Sequence, residues 1–315
     1  MEKITKHFTQ NNKRDNNIIK NKKPDWIKIK LLIDNNKINA MKSTLRTHNL
    51  FSVCEEAQCP NLQDCFNRGT ATFMILGAIC TRKCPFCAVS KGRPTLPNAH
   101  EPNQLKVVIN KLNIKHVVLT SVTRDDLKDG GAQHFFECIK AIKSLKKNIK
   151  IEILVPDFKN CSNNAVSILS NAYPDIFNHN LESVPRIYKA IRPGANYQHS
   201  LNLLLNFKNM NPNVITKSGI MIGLGEKKSE IINVISDLKT HRVDMITIGQ
   251  YLQPTSSHFP VKHYYTISEF NDIKNQALSI GFRNVFCGPF VRSSYNADEQ
   301  FLNNTFSNKN NFSNN

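Results

Sequence analysis

Residues Thr72-Phe73-Met74-Ile75-Leu76 form an apolar run, and after Gly77-Ala78-Ile79 come Cys80-Thr81-Arg82-Lys83-Cys84-Pro85-Phe86-Cys87. A short apolar run closed by a glycine predicts a buried strand. The three thiols then sit on a loop at that strand's carboxyl end. Five further runs carry a similar strand signal: His116–Thr120, Ile151–Val155, Asp175–Asn180, Gly219–Ile222 and Met245–Ile248. Helical periodicity appears between and after them, over Gln104–Leu112, Ala132–Leu145, Ala165–Asn171, Leu201–Asn209, Glu230–Thr240 and Glu269–Ser279. Strands alternating with helices predict an α/β fold with a parallel sheet. Six such units are two short of a closed eight-unit barrel, so the expected architecture is a partial (βα)6 TIM-like barrel.

Parallel barrels carry their chemistry where strands end, and polar residues cluster there. Thr120-Ser121-Val122-Thr123-Arg124-Asp125-Asp126 follows the second strand, Asn180-Leu181-Glu182 the fourth, and Gln250-Tyr251-Leu252-Gln253-Pro254 the sixth. Each alone reads as a cap or a turn; their shared position makes them candidates for a site.

Composition bounds the rest. With 40% hydrophobic and 21% charged residues, the 315-residue chain has the make-up of an ordinary globular protein, favouring one large domain. No apolar run approaches the roughly 18 residues of a membrane span. Residues 1–37 lack a secretory or transit signal, and a cytoplasmic location is expected. The net charge of +18 is diffuse, with Lys- and Asn-rich ends. Residues 1–43 are expected to be a disordered extension and 302–315 a disordered tail. Between them are expected a cysteine segment (44–65), the barrel (66–283) and a C-terminal segment (284–301).

Nine cysteines in a reducing compartment point to metal or redox work rather than disulfides, and six of them are clustered. Cys80, Cys84 and Cys87 have Cx3Cx2C spacing. Three thiolates are one short of a structural zinc site or an ordinary four-Cys cluster. A [4Fe–4S] cluster held by three Cys keeps one iron open, whereas a zinc ion would need a distant His; three unrelated thiols remain a further reading. Cys54, Cys59 and Cys65 form a second, Cx4Cx5C triplet that fits no common zinc pattern and lies in a loop-like stretch around Pro60-Asn61. Cys138 falls on a helical pattern and reads as a buried inert thiol. Cys161 is assigned no role, and Cys287, just before Gly288-Pro289-Phe290, reads as core packing ahead of a place near a cluster.

The Cx3Cx2C triplet with Phe86 before its third Cys resembles the hallmark of the radical S-adenosylmethionine superfamily. With both triplets present, the chain from Pro24-Asp25-Trp26 to Tyr295-Asn296-Ala297 resembles the lipoyl synthase family. Cys54-Glu55-Glu56-Ala57, Cys59-Pro60-Asn61 and Arg292-Ser293-Ser294-Tyr295 are the specific blocks. Thr120-Ser121-Val122, Asp129-Gly130-Gly131-Ala132, His179-Asn180-Leu181-Glu182, Arg192-Pro193-Gly194-Ala195 and Lys217-Ser218-Gly219-Ile220-Met221 also match. The resemblance implies a fold of the radical S-adenosylmethionine type and two [4Fe–4S] clusters. Cys80, Cys84 and Cys87 would hold the one that cleaves S-adenosylmethionine. Cys54, Cys59, Cys65 and Ser294 would hold an auxiliary cluster whose sulfur enters C6 and C8 of a protein-bound octanoyl chain. A hydroxyl oxygen is a harder ligand than thiolate, so the Ser294 corner is predisposed to open. Thr120, Ser121, Asn180, Glu182 and Arg192 are the expected S-adenosylmethionine contacts. Lys217 and Arg292 are expected either to reach the substrate pocket or to balance cluster charge. Phe66 and Ala88 depart from the family's common Trp and Asp, which leaves every expected ligand in place.

The implied partners are octanoylated carriers, namely lipoyl domains of 2-oxoacid dehydrogenase E2 subunits and the glycine-cleavage H protein. Flavodoxin or ferredoxin would supply electrons, and an iron–sulfur carrier protein would repair the auxiliary cluster; no membrane or nucleic acid is expected. Competing readings are a biotin synthase-like or tRNA methylthiotransferase-like enzyme, and a zinc protein that binds nucleic acid. The last predicts Cx2C pairs with interleaved basic and aromatic residues, which the triplets do not match.

Overall fold

Runs such as Phe73-Met74-Ile75 and Val117-Val118-Leu119 carry apolar residues at consecutive positions, so both faces of each strand must be covered. In the computed structural model they are buried throughout. The structure describes residues 23–27, 35–68 and 70–301. The tail 302–315 and most of the extension, residues 1–22 and 28–34, lie outside the described residues.

Among the described residues the first elements are α1 (Asn35–Thr47), β1 (Phe51–Ser52), α2 (Val53–Glu56) and α3 (Leu62–Asn67). The barrel follows as β2 (Thr72–Ile75), α4 (Glu101–Lys111), β3 (His116–Ser121), α5 (Ala132–Lys143), β4 (Lys150–Leu154), α6 (Ser162–Ser170) and β5 (Ile176–Asn178). After two helices, α7 (Pro185–Ile191) and α8 (Tyr197–Met210), come β6 (Ile215–Ile222), α9 (Lys228–Thr240), β7 (Met245–Gln250), α10 (Ile267–Ser279) and β8 (Asn284–Gly288).

The strands form one eight-stranded sheet in chain order. Only β1 pairs antiparallel, with β2; β2 through β8 are parallel. β1 and β8 are the two edges, so the barrel is open, as its unit count predicts. The helices turn apolar stripes to the sheet: α5 buries Ala132, Phe135, Cys138, Ile139 and Ile142. Among the described residues no helix is long and apolar enough to cross a membrane.

Three differences from the sequence reading have physical causes. Helix α1 runs through position 43 and buries Ile38, Met41 and Leu45, so the segment expected to be disordered is helical from Asn35 onward. Strand β8 adds a seventh parallel strand; its Asn-Val-Phe-Cys-Gly run is only partly buried, which weakened its signal. Strand β6 starts at Ile215 rather than Gly219, because Thr216, Lys217 and Ser218 look like loop residues yet are fully buried.

Lys217 explains how a strand interior tolerates this. Its Nζ lies 3.0 Å from Oε1 of Glu152 on β4, with neither residue accessible to solvent, and Asn178 donates to the same carboxylate at 2.9 Å. Burial disfavours the Glu152 charge, but Lys217, His116 and Asn178 together outweigh it and hold the carboxyl below its ordinary range. Lys217→Met strands this carboxylate and is expected to lower stability by about 3–5 kcal/mol in urea unfolding. The Glu152→Gln/Lys217→Met double variant should lose less; equal losses would show that the pair is not coupled.

Candidate active site

The first Cys triplet is aimed by the corner that ends β2. Leu76 has φ +69° and Gly77 φ +85°, turning the chain sharply off the sheet. The buried Glu101 carboxylate accepts the Leu76 N–H at 2.9 Å and also meets His134 Nε2 at 2.6 Å, while Arg124 Nη1 donates to the Leu76 carbonyl at 3.2 Å. Beyond the corner, Cys80 N–H donates to Ser90 O at 2.8 Å and Gly92 N–H to Cys80 O at 3.0 Å, closing the base of the loop.

Arg82 fixes the loop's interior. Its guanidinium donates to both Asp125 oxygens at 2.8 Å and to both Asp157 oxygens at 2.6 Å. Asp125 follows β3 and Asp157 follows β4, so one side chain binds the cysteine loop to the next two strand ends. Burial raises the cost of the Asp157 charge, but Arg82 offsets this and keeps its carboxyl below the usual range.

Cys80, Cys84 and Cys87 open onto a cavity of about 210 Å³ at the strands' carboxyl ends. All five expected contacts, Thr120, Ser121, Asn180, Glu182 and Arg192, line it as well. Thr120 is already engaged, its hydroxyl donating to Leu154 O at 2.9 Å. Arg192 donates to Asn180 O and to Tyr188 Oη, each at 2.8 Å, and Asn180 donates to Glu182 at 3.1 Å. Burial pushes the Glu182 carboxyl up, with Arg192 partly compensating. Lys217 does not line this cavity. A larger cavity of about 500 Å³ is lined by Lys208, Asp244 and Arg283, and contains none of the cysteines.

Sequence reasoning assigned no role to His179, although the residue stands in a quoted block. It is 1% exposed, lines the cavity, and its Nδ1 lies 2.8 Å from Val155 O, which requires Nδ1 to carry the proton. Nε2 is buried without a partner, as is the Ser121 hydroxyl. Nε2 is therefore a bare acceptor, and its partner must be an N–H or O–H. Arg82 and Asp157 were missed too; the signal for each was its place, between two ligands and just beyond a strand.

The second triplet is less loop-like than expected. Cys54 lies on α2, whose N-cap Ser52 accepts the Cys54 N–H at 3.2 Å and donates its hydroxyl to Thr72 O at 3.1 Å. Cys65 lies on α3, and Pro60-Asn61 separates the two short helices. The Cys65 thiol hydrogen-bonds Cys54, lowering the latter's pKa and raising its own. Burial pushes the Cys59 thiol up to about 11. Ser294 and Cys65 line one small cavity of about 20 Å³, and Asn61 donates to Phe290 O at 2.7 Å. The C-terminal segment thus reaches the second triplet, with Arg292 close enough to both Cys59 and Glu182 to influence their charges. Among the described residues no three His, Cys, Asp or Glu side chains converge tightly enough to enclose one metal ion. A cluster, whose thiolates each bind a separate iron, does not need that convergence.

Comparison with known proteins shows the family. Residues 74–238 match the radical SAM superfamily, and residues 2–59 match the N-terminal domain of lipoyl synthase. The lipoyl synthase of Buchnera aphidicola subsp. Baizongia pistaciae is 61% identical over 280 residues, covering 89% of each chain. That of Pectobacterium carotovorum subsp. carotovorum is 57% identical over 279 residues, covering 89% of this chain and 87% of the relative. The chain belongs to the lipoyl synthase family. Among solved structures, Streptococcus suis SuiB bound to S-adenosylmethionine shares the fold with a TM-score of 0.54 and 12% identity, over 81% of this chain and 61% of that one. Membership of the radical SAM superfamily implies a [4Fe–4S] cluster and S-adenosylmethionine. The site fits them: three thiols at a strand end face a cavity that holds unpartnered polar atoms.

Burial, reinforced by the Arg192 charge, lowers the His179 pKa to about 3, so the folded protein keeps the ring neutral while the unfolded chain protonates it near its ordinary value. Its contribution to stability is complete above about pH 6.5 and is lost as pH falls toward about 3, by roughly 1.4 kcal/mol per pH unit. His179→Asn should flatten the fall of unfolding free energy between pH 6.5 and 5 by about one proton's worth. An unchanged slope would mean that the ring is protonated in place.

Proposed function

We propose that the chain is a lipoyl synthase, and that the observation carrying this reading is the pairing of two cysteine triplets by one C-terminal segment. Cys80, Cys84 and Cys87 would hold the radical cluster, with Thr120, Ser121, Asn180, Glu182 and Arg192 as S-adenosylmethionine contacts around the same cavity. Cys54, Cys59, Cys65 and Ser294 would hold an auxiliary [4Fe–4S] cluster, built from segments 44–65 and 284–301. When bound, these groups supply a 5′-deoxyadenosyl radical, able to take hydrogen from an unactivated C–H bond, and the sulfur that replaces it at C6 and C8 of an octanoyl-lysine.

The chain's own residues aim and insulate. Arg82 anchors the cysteine loop through Asp125 and Asp157. His179 offers an acceptor to an N–H or O–H of the bound molecules, and Arg192 and Arg292 place positive charge beside anionic clusters. Val53, Met74, Phe86, Val89 and Val122 give the cavity an apolar wall suited to an acyl chain.

The substrates would be octanoylated lipoyl domains of 2-oxoacid dehydrogenase E2 subunits and the glycine-cleavage H protein. A net charge of +18 favours docking of acidic electron donors such as flavodoxin or ferredoxin. An iron–sulfur carrier protein would rebuild the auxiliary cluster, and the compartment would be the cytoplasm.

Anaerobic reconstitution should give about eight irons in the parent and about four in a Cys54/Cys59/Cys65→Ala variant, as two four-iron clusters require. The variant should still form 5′-deoxyadenosine and make no lipoyl product. A parent that takes up only four irons, or a variant that still inserts sulfur, would overturn the auxiliary-cluster assignment.

A further inference from the structure

The segment after β8 crosses the open side of the barrel and is pressed against two strands where each lacks a side chain. Gly219 on β6 pairs with Thr247 on β7, and Gly249 pairs with Met221, so the two glycines lie close together on neighbouring strands. Neither has positive φ, so conformational freedom does not explain them. Space does. A Cβ at Gly249 would lie 2.1 Å from the Val291 carbonyl oxygen and 2.9 Å from Arg292 Nη1. One at Gly219 would lie 2.6 Å from Ser293 Oγ, 2.7 Å from Thr247 Oγ1 and 2.8 Å from Asn180 Oδ1. Side-chain ends can rotate away; a backbone carbonyl moves only if the segment moves.

The segment held this way touches both halves of the site. Ser293 Oγ donates to Asn180 Oδ1 at 2.7 Å and lies 3.3 Å from Thr247 Oγ1. Asn180 lines the radical cavity and donates to Glu182 there. One residue on, Ser294 shares a cavity with Cys65. Consecutive residues therefore face the two sites, and their separation depends on how deeply the segment sits.

We propose that Gly219 and Gly249 form a seat that sets this depth, and that Ser293 is the positioning residue that registers the segment against Asn180. The seat thereby fixes the distance between the auxiliary site and the radical cavity. The inference rests on the auxiliary role proposed for Ser294.

Gly249→Ala, Ser293→Ala and Gly288→Ala test it in the full chain. At Gly288 a Cβ would meet only Val291 Cγ2 at 3.6 Å, an ordinary contact, so that variant is the control. Gly249→Ala should leave 5′-deoxyadenosine formation close to parent while lipoyl product falls by about 10²-fold, the cost of roughly 1 Å of misplacement. Ser293→Ala should show the same split to a smaller degree, and Gly288→Ala neither. A second readout does not depend on turnover. In a Cys80/Cys84/Cys87→Ala background, the electron paramagnetic resonance spectrum of the reduced auxiliary cluster should shift in Gly249→Ala in the direction that Ser294→Ala shifts it.

Parental sulfur insertion with a parental spectrum would overturn the seat, as would a parallel fall of 5′-deoxyadenosine and lipoyl product. If Gly249→Ala does not fold, Ser293→Ala carries the test with the same two outcomes. A parent that holds both clusters and makes no lipoyl product defeats the lipoyl synthase reading, while the spectra still report on the seat.

Discussion

Everything at the radical site depends on the Arg82 guanidinium. A loop carrying three thiols that face a cavity has few apolar anchors beyond Phe86 and Val89 to hold its shape. Arg82 replaces that missing cohesion with four charge-assisted hydrogen bonds to two carboxylates. Because Asp157 is fully buried, loss of Arg82 would leave an uncompensated charge, which costs far more than the pair itself contributes. The geometry is thus protected by the penalty for breaking it. Since Asp125 and Asp157 follow successive strands, the loop moves only if β3 and β4 move with it.

The second organising constraint is that the sheet does not close. An open barrel exposes two strand edges and a wide mouth. Here the opening is bridged by residues after β8, which reach back to Asn61 and Arg68 near the chain's beginning. Arg68 donates to Asn296 at 2.7 Å and to Glu299 at 2.8 Å, which ties the C-terminal segment to α3's end. The same segment places Ser294 and Cys65 on one small cavity.

Much of this was legible in the sequence for a simple reason: strands buried on both faces and amphipathic helices have strong periodic signals. Thr72–Leu76 and Ala132–Leu145 were found within a residue or two of their true limits. β6 was read short because Lys217 is a charged residue in a strand interior, and only the third dimension supplies Glu152 as its partner. The helices α2 and α3 are too short for periodicity to register, so Cys54 and Cys65 read as loop residues. The cysteine sets were legible because their spacing is local. Arg82's partners are 43 and 75 residues away and Asn180's partner Ser293 is 113 away, and no local pattern encodes such pairings.

The cavity's unmet hydrogen-bonding capacity constrains what it takes. Arg192, Thr120 and Asn180 are engaged with protein groups, so their remaining capacity is limited and directional. His179 Nε2 accepts only, and the Ser121 hydroxyl can give or take one bond. Both lie against a wall of Val, Met and Phe side chains, where an unsatisfied polar atom is costly. A purely apolar ligand would leave that cost standing, and a purely polar one would waste the wall. A ligand set with hydroxyl or amide donors at one end and an alkyl chain at the other meets both demands. That is the composition of a nucleoside sulfonium cofactor next to an acyl-lysine.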